Sequence, residues 1–84
     1  YLPALDEIVV AAIDHGCWYR QGRGTWARAA VSQKSNISEA VFVTSQVDSF
    51  AARSAANTYL RLEKEAWITR SWGDGYGYLL VATG

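Results

Sequence analysis

The longest regular alternation of apolar and polar positions lies in the second half of the chain. Ala55, Tyr59, Leu62 and Ala66 recur at three- and four-residue intervals, the signature of one apolar helix face. Ala51, Ala52, Ala56 and Leu60 add helix propensity around them, which predicts one helix over residues 50–65. Ser49 is suited to cap it, because a hydroxyl can accept a bond from an orphan amide of the first turn. Arg53, Asn57, Arg61 and Lys64 recur on a different face with no carboxylate among them. Next, Trp67-Ile68-Thr69-Arg70 and Tyr76-Gly77-Tyr78-Leu79-Leu80-Val81 flank Gly73-Asp74-Gly75. Asp-Gly between runs rich in aromatic and β-branched residues predicts a β-hairpin over 67–81.

The first half is less regular. Leu5, Ile8, Val9, Ala12 and Ile13 form an apolar stripe at helical spacing, which predicts a helix over 2–15. Pro3 suits its first turn, Asp6 and Glu7 complement the dipole, and Gly16 is a stop. Over 17–34, Arg20, Arg23 and Arg28 interleave with Trp18, Tyr19, Trp26, Gly22 and Gly24. Thr25 can cap a short helix over 26–33, and residues 26–32 can equally form a strand. The run Val41-Phe42-Val43-Thr44 favours a strand, because β-branched side chains lose freedom in a helix.

The order of a helix with a cationic face, Leu62-Glu63-Lys64, a hydrophobic triplet and a glycine-tipped hairpin resembles the C-terminal half of winged helix-turn-helix domains. Regulators of the MarR and GntR kinds are the nearest in pattern, although they usually place Gly where this chain has Ala66. The resemblance covers about the last half of the chain. It implies an α+β fold, a winged helix-turn-helix of three or four helices with a two-stranded C-terminal wing hairpin, as one domain over 1–84. It also requires a helix before the recognition helix. That helix is placed over 38–46 in spite of the β-branched run, with Ser38 as cap, Glu39 in its first turn and Val47-Asp48-Ser49 as the following turn.

The function expected from this arrangement is sequence-specific binding of double-stranded DNA, as a transcriptional regulator or a plasmid or phage replication or partition factor. A helix over 50–65 would enter the major groove. Arg53, Ser54, Asn57, Arg61 and Lys64 would face the DNA, since Arg pairs bidentately with guanine and Asn with adenine. Arg70 and the wing tip would lie at the backbone or minor groove, and Arg20, Arg23 and Arg28 against phosphates. The alternative is a winged-helix assembly module with exposed aromatics as interface anchors.

Composition modifies this picture in three ways. With 84 residues, half of them hydrophobic, one small domain can build a core, while four Trp and five Tyr exceed what it can bury. A homodimer is therefore expected, through the first helix or the wing strand. Eight basic and eight acidic residues give zero net charge, which disfavours bulk attraction to nucleic acid, yet residues 1–16 carry only acidic and 17–37 only basic charge. A lone Cys cannot form an intrachain disulfide, and no run is apolar enough to span a bilayer, so the expected location is cytoplasmic, nucleoid-associated or nuclear.

Catalytic chemistry finds little support in the sequence. His15 and Cys17 offer two soft ligands where a closed metal site needs about four. Gly73, Gly75 and Gly77 precede a strand-like run instead of opening a phosphate-binding helix. The expectation is accordingly a non-enzyme with no metal and no cofactor.

Overall fold

A computed structural model describes residues 1–72 and 75–84. The chain forms strands β1 (Glu7–Ala12), β2 (Gly16–Gln21) and β3 (Ala27–Ala29), a 3-10 turn (Ile37–Glu39), strand β4 (Val41–Thr44), helices α1 (Asp48–Ala52) and α2 (Ala56–Glu65), strand β5 (Ile68–Ser71) and helix α3 (Gly75–Thr83). Two compact units result, one of Tyr1–Gln33 with Tyr78–Gly84, the other of Lys34–Gly77.

In the first unit the expected helix over 2–15 is replaced by an antiparallel hairpin. β1 pairs with β2 from Glu7↔Gln21 to Ala12↔Gly16, and β2 pairs with β3 from Cys17↔Ala29 to Tyr19↔Ala27. The apolar positions fit either period. Ile8-Val9-Val10 is dense in β-branched residues, and the turn that follows closes the hairpin. Asp14 and Gly16 both take positive φ there, 65° and 80°. Short polar side chains and glycine are the residues that tolerate this conformation. Of the two alternatives, a helix over 26–33 or a strand over 26–32, a strand forms, but only as the short β3. Trp18 and Arg28 are direct cross-strand partners, and the Arg28 guanidinium lies 4.8 Å from the Trp18 ring centre. The same guanidinium donates to the His15 carbonyl at 2.8 Å, so one cation ties β3 to the hairpin turn.

The second unit contains a parallel pair, β4 with β5, in the register Val41↔Ile68, Phe42↔Thr69, Val43↔Arg70 and Thr44↔Ser71. Both connecting helices, α1 and α2, lie between these strands in sequence. Phe42 meets Phe50 of α1 at a ring-centre distance of 6.3 Å and Tyr59 of α2 at 5.9 Å, and Phe50 meets Tyr59 at 5.3 Å. This triangle packs the two helices on the Phe42 face of the pair. The stripe Ala55, Tyr59, Leu62 and Ala66 is half-buried while Arg53, Asn57, Arg61 and Lys64 are exposed, so the helical faces fall where their spacing places them.

The winged helix-turn-helix expectation is overturned. Residues 38–46 form the 3-10 turn and β4, where the β-branched run prevails. The helix over 50–65 is broken. Arg53 ends α1, Ser54 stands at φ 57°, and α2 starts at Ala56. Ser49 does not cap a helix; Val47 holds that position, and the Ser49 hydroxyl donates to the Gln46 carbonyl at 2.7 Å. β5 turns back beside β4 instead of leading into a wing. Of the predicted hairpin tip, Gly73 and Asp74 lie outside the described residues, and Gly75 opens α3. In α3 the positions 75, 78 and 81 are exposed, while Leu79 is buried at 6% exposure. Gly84 closes the helix at φ 79°, its amide on the Leu80 carbonyl at 3.1 Å, a positive-φ glycine at a helix end.

Candidate functional site

Residues in a parallel strand pair finish together at one end, and in open α/β sheets that carboxyl edge is where ligands bind. Here it is made by Thr44 and Ser71, which are register partners, and by the segments leaving them. The Trp72 amide donates to the Thr44 carbonyl at 3.0 Å, so the ladder holds one residue beyond β5. After β4 the chain turns sharply: the Gln46 amide donates to the Thr44 hydroxyl at 3.4 Å, which leads directly into α1. After β5, Trp72 packs edge-on against Tyr76 in the first turn of α3, with ring centres 5.6 Å apart.

Arg70 is the cation of this edge. It is exposed, and its Nη1 donates to the Thr69 carbonyl at 2.8 Å, which holds the guanidinium along the strand. Its register partner is Val43. Gly77 of α3 lies against Val43, since a β-carbon added at Gly77 would come within 3.2 Å of the Val43 Cγ1. The first turn of α3 therefore lies on the Arg70 face of the pair. Side chains alternate along a strand, so the Arg70 guanidinium stands on one face of this edge and the Thr44 and Ser71 hydroxyls on the other, with the Trp72–Tyr76 ring pair following β5. The exposed guanidinium can bind an anionic group and the ring pair can stack an organic ring; among the described residues the edge holds no base or nucleophile with an orienting partner.

The other residues singled out from the sequence do not share this edge. Arg53 caps α1 and Ser54 follows it in the break, whereas Asn57, Arg61 and Lys64 are on α2. All are exposed, and Arg61 pairs with Glu65 at 4.0 Å, so a carboxylate reaches the face that looked purely cationic. Arg20 and Arg28 lie in the three-stranded sheet, with Arg20 4.8 Å from the Trp26 ring centre. Arg23 is exposed in the turn between β2 and β3. Among the described residues no group of three or more His, Cys, Asp or Glu side chains comes together, and no helix is long and apolar enough to cross a membrane.

Thr44, Ser71, Trp72 and Tyr76 were not singled out from the sequence as a site. The signal was present: two short β-branched strands, 41–44 and 68–71, enclose a helical segment, which is the pattern of a parallel crossover.

No family model matches the chain. Over 82 residues, 98% of this chain, it is 34% identical to a histidinol-phosphatase of Streptomyces coelicolor. The chain spans 31% of that relative's length. This similarity to an enzyme along nearly the whole chain overturns the expected function, DNA binding by a recognition helix and wing, together with its assembly-module alternative. It also counts, more weakly, against the expectation of a non-enzyme.

Proposed function

We propose that the chain forms part of a phosphatase acting on a phosphomonoester of the histidinol phosphate type, and that its carboxyl edge of β4 and β5 positions the substrate. The observation that carries this is the 34% identity over 82 residues to the Streptomyces coelicolor enzyme. The edge supplies matching chemistry. Hydrolysis of a phosphomonoester moves a phosphoryl group to water, and most of its catalysis is positioning and charge stabilisation. The Arg70 guanidinium is a planar donor fork suited to phosphate oxygens. The Trp72–Tyr76 pair offers a face for a flat heterocycle such as imidazole.

The test is a chimera in which this chain replaces the matching stretch of the Streptomyces coelicolor enzyme, assayed for phosphate release from histidinol phosphate. Activity above a vector control is expected. Arg70→Ala should raise KM about tenfold, the equivalent of one charge-assisted hydrogen bond, while the exposed Arg53→Ala changes neither KM nor kcat. A folded chimera that releases no phosphate refutes the assignment.

A further inference from the structure

The parallel pair β4–β5 is incomplete as a sheet. It has two strands, and among the described residues neither carries a third neighbour. Parallel sheets occur almost entirely with several strands and both faces covered, and their strands read as continuous apolar runs. Val41-Phe42-Val43 is such a run. Phe42 is covered by Phe50 and Tyr59, while Val41 on the opposite face remains 45% exposed.

The open edges can be specified residue by residue. Ile68 and Trp72 donate their amides to the carbonyls of Ala40 and Thr44. Backbone groups alternate in direction along a strand, so Ala40, Phe42 and Thr44 face β5, and Ile68, Arg70 and Trp72 face β4. Val41 and Val43 therefore turn their amides and carbonyls outward from β4, and Thr69 and Ser71 outward from β5. Among the described residues each outer edge thus offers two unpaired amides as a template for another strand. Arg70 already donates to the Thr69 carbonyl, which occupies one acceptor of the β5 edge.

We infer that the β4–β5 pair is part of a wider sheet, and that its third strand comes from a stretch of a longer polypeptide lying outside these 84 residues. Two observations select this occupant. The relative that matches 98% of this chain is about three times as long, so some two thirds of it has no counterpart here. A second copy is the less suitable occupant: two identical strand edges related by a two-fold axis run antiparallel, which would break the parallel pattern of the pair. The inference rests on the phosphatase assignment only in taking the source of the strand from that enzyme.

Amide hydrogen exchange in the same chimera tests it. Phe42 and Arg70, which face each other's strands, should exchange slowly whether or not a third strand is present. The outward amides of Val41 and Val43, or those of Thr69 and Ser71, should be slowed at least about a hundredfold relative to the unfolded chain. If both outward sets exchange at the unfolded rate while Phe42 and Arg70 are protected, the inference is overturned. A chimera that protects none of these amides overturns it too, because the remainder of the enzyme then does not complete the sheet. So does slow outward exchange in the isolated 84-residue chain sedimenting as a dimer, which would make a second copy the occupant. A chimera with a protected outer edge that releases no phosphate leaves the inference standing and removes the phosphatase assignment alone. In the same chimera, proline at 43 and at 69 removes an outward amide on each edge. Proline is tolerated where the amide faces solvent and disruptive in a paired strand, so at least one of Val43→Pro and Thr69→Pro should lose protection at Phe42 and Arg70.

Discussion

Replacing Ser54 by glycine should stabilise this protein, and the sign of that effect tests the helix break. Ser54 holds φ at 57° between α1 and α2. A left-handed backbone brings the β-carbon close to the following carbonyl and costs a non-glycine residue roughly 1–2 kcal/mol. Ser54→Gly removes that strain. Against this stands the greater freedom of glycine in the unfolded chain, about 0.4–1 kcal/mol. The Ser54 side chain is exposed, so losing its hydroxyl adds little to the balance. The net expectation is a gain of about 0.5–1 kcal/mol. For a domain of this size it corresponds to a rise in Tm of roughly 2–8 °C. In a continuous helix over 50–65 the same substitution would instead destabilise by about 0.5 kcal/mol, because glycine is the poorer helix former. Urea titration followed by tryptophan fluorescence distinguishes the two signs. Arg61→Gly within α2 is the internal control and should cost about 0.8 kcal/mol; its ion pair with Glu65 is exposed and adds little. A Ser54→Gly protein less stable than its parent would refute the left-handed break.

Three further outcomes are expected. Phe42→Ala should cost about 2–3 kcal/mol in the same titration, below the usual range for a fully buried phenylalanine because Phe42 is only half-buried, and Phe50→Ala in that background should cost less than it does alone. Gly77→Ala sets a helix-propensity gain of about 1 kcal/mol against crowding of Val43, so it should be close to neutral alone and stabilising in a Val43→Ala background, as a double-mutant cycle would show. The Tyr59 hydroxyl donates to Glu63 at 3.0 Å, and this bond, foremost among the causes, raises its pKa above 10.0. A raised folded-state pKa means the contribution is fully present below the unfolded value and is lost as pH rises through the folded one. Spectrophotometric titration above pH 10 should accordingly lose a late tyrosine component in Tyr59→Phe, and that component should move to lower pH in Glu63→Gln.

What could be seen from the sequence was decided by periodicity that only one structure satisfies. The face of α2 was legible because Ala55, Tyr59, Leu62 and Ala66 fit a 3.6-residue repeat and no other. Residues 7–12 were not, since Ile8, Val9 and Ala12 fit a helix stripe as well as a strand; pairing with β2 decides between them. α3 was hidden for a different reason. Tyr78 and Val81 are apolar yet exposed, so its sequence is hydrophobic on every side and carries no amphipathic signal. The Ser54 break depends on two helices packing separately around Phe42, a tertiary constraint absent from local propensity. Over 41–44 the β-branched run stated the correct element, and the helix required by the resemblance displaced it. As for the site, Arg70 was singled out as a cation at a wing; the edge it occupies could be assembled only once β4 and β5 were known to be parallel.

The parallel register has a consequence for the order in which this chain folds. The β1–β2 hairpin joins neighbours across a short turn, a contact that forms within microseconds in small peptides. Val41 and Ile68 are separated by all of α1 and α2, so their pairing must first close a long loop whose entropy is lost before any strand contact compensates it. The Phe42–Phe50–Tyr59 contacts, once made, hold α1 and α2 on β4 and so shorten that loop. A nascent polypeptide would thus hold β4 with an unpaired edge until β5 has emerged. During that interval the exposed Val41-Phe42-Val43 run is the segment most open to wrong partners.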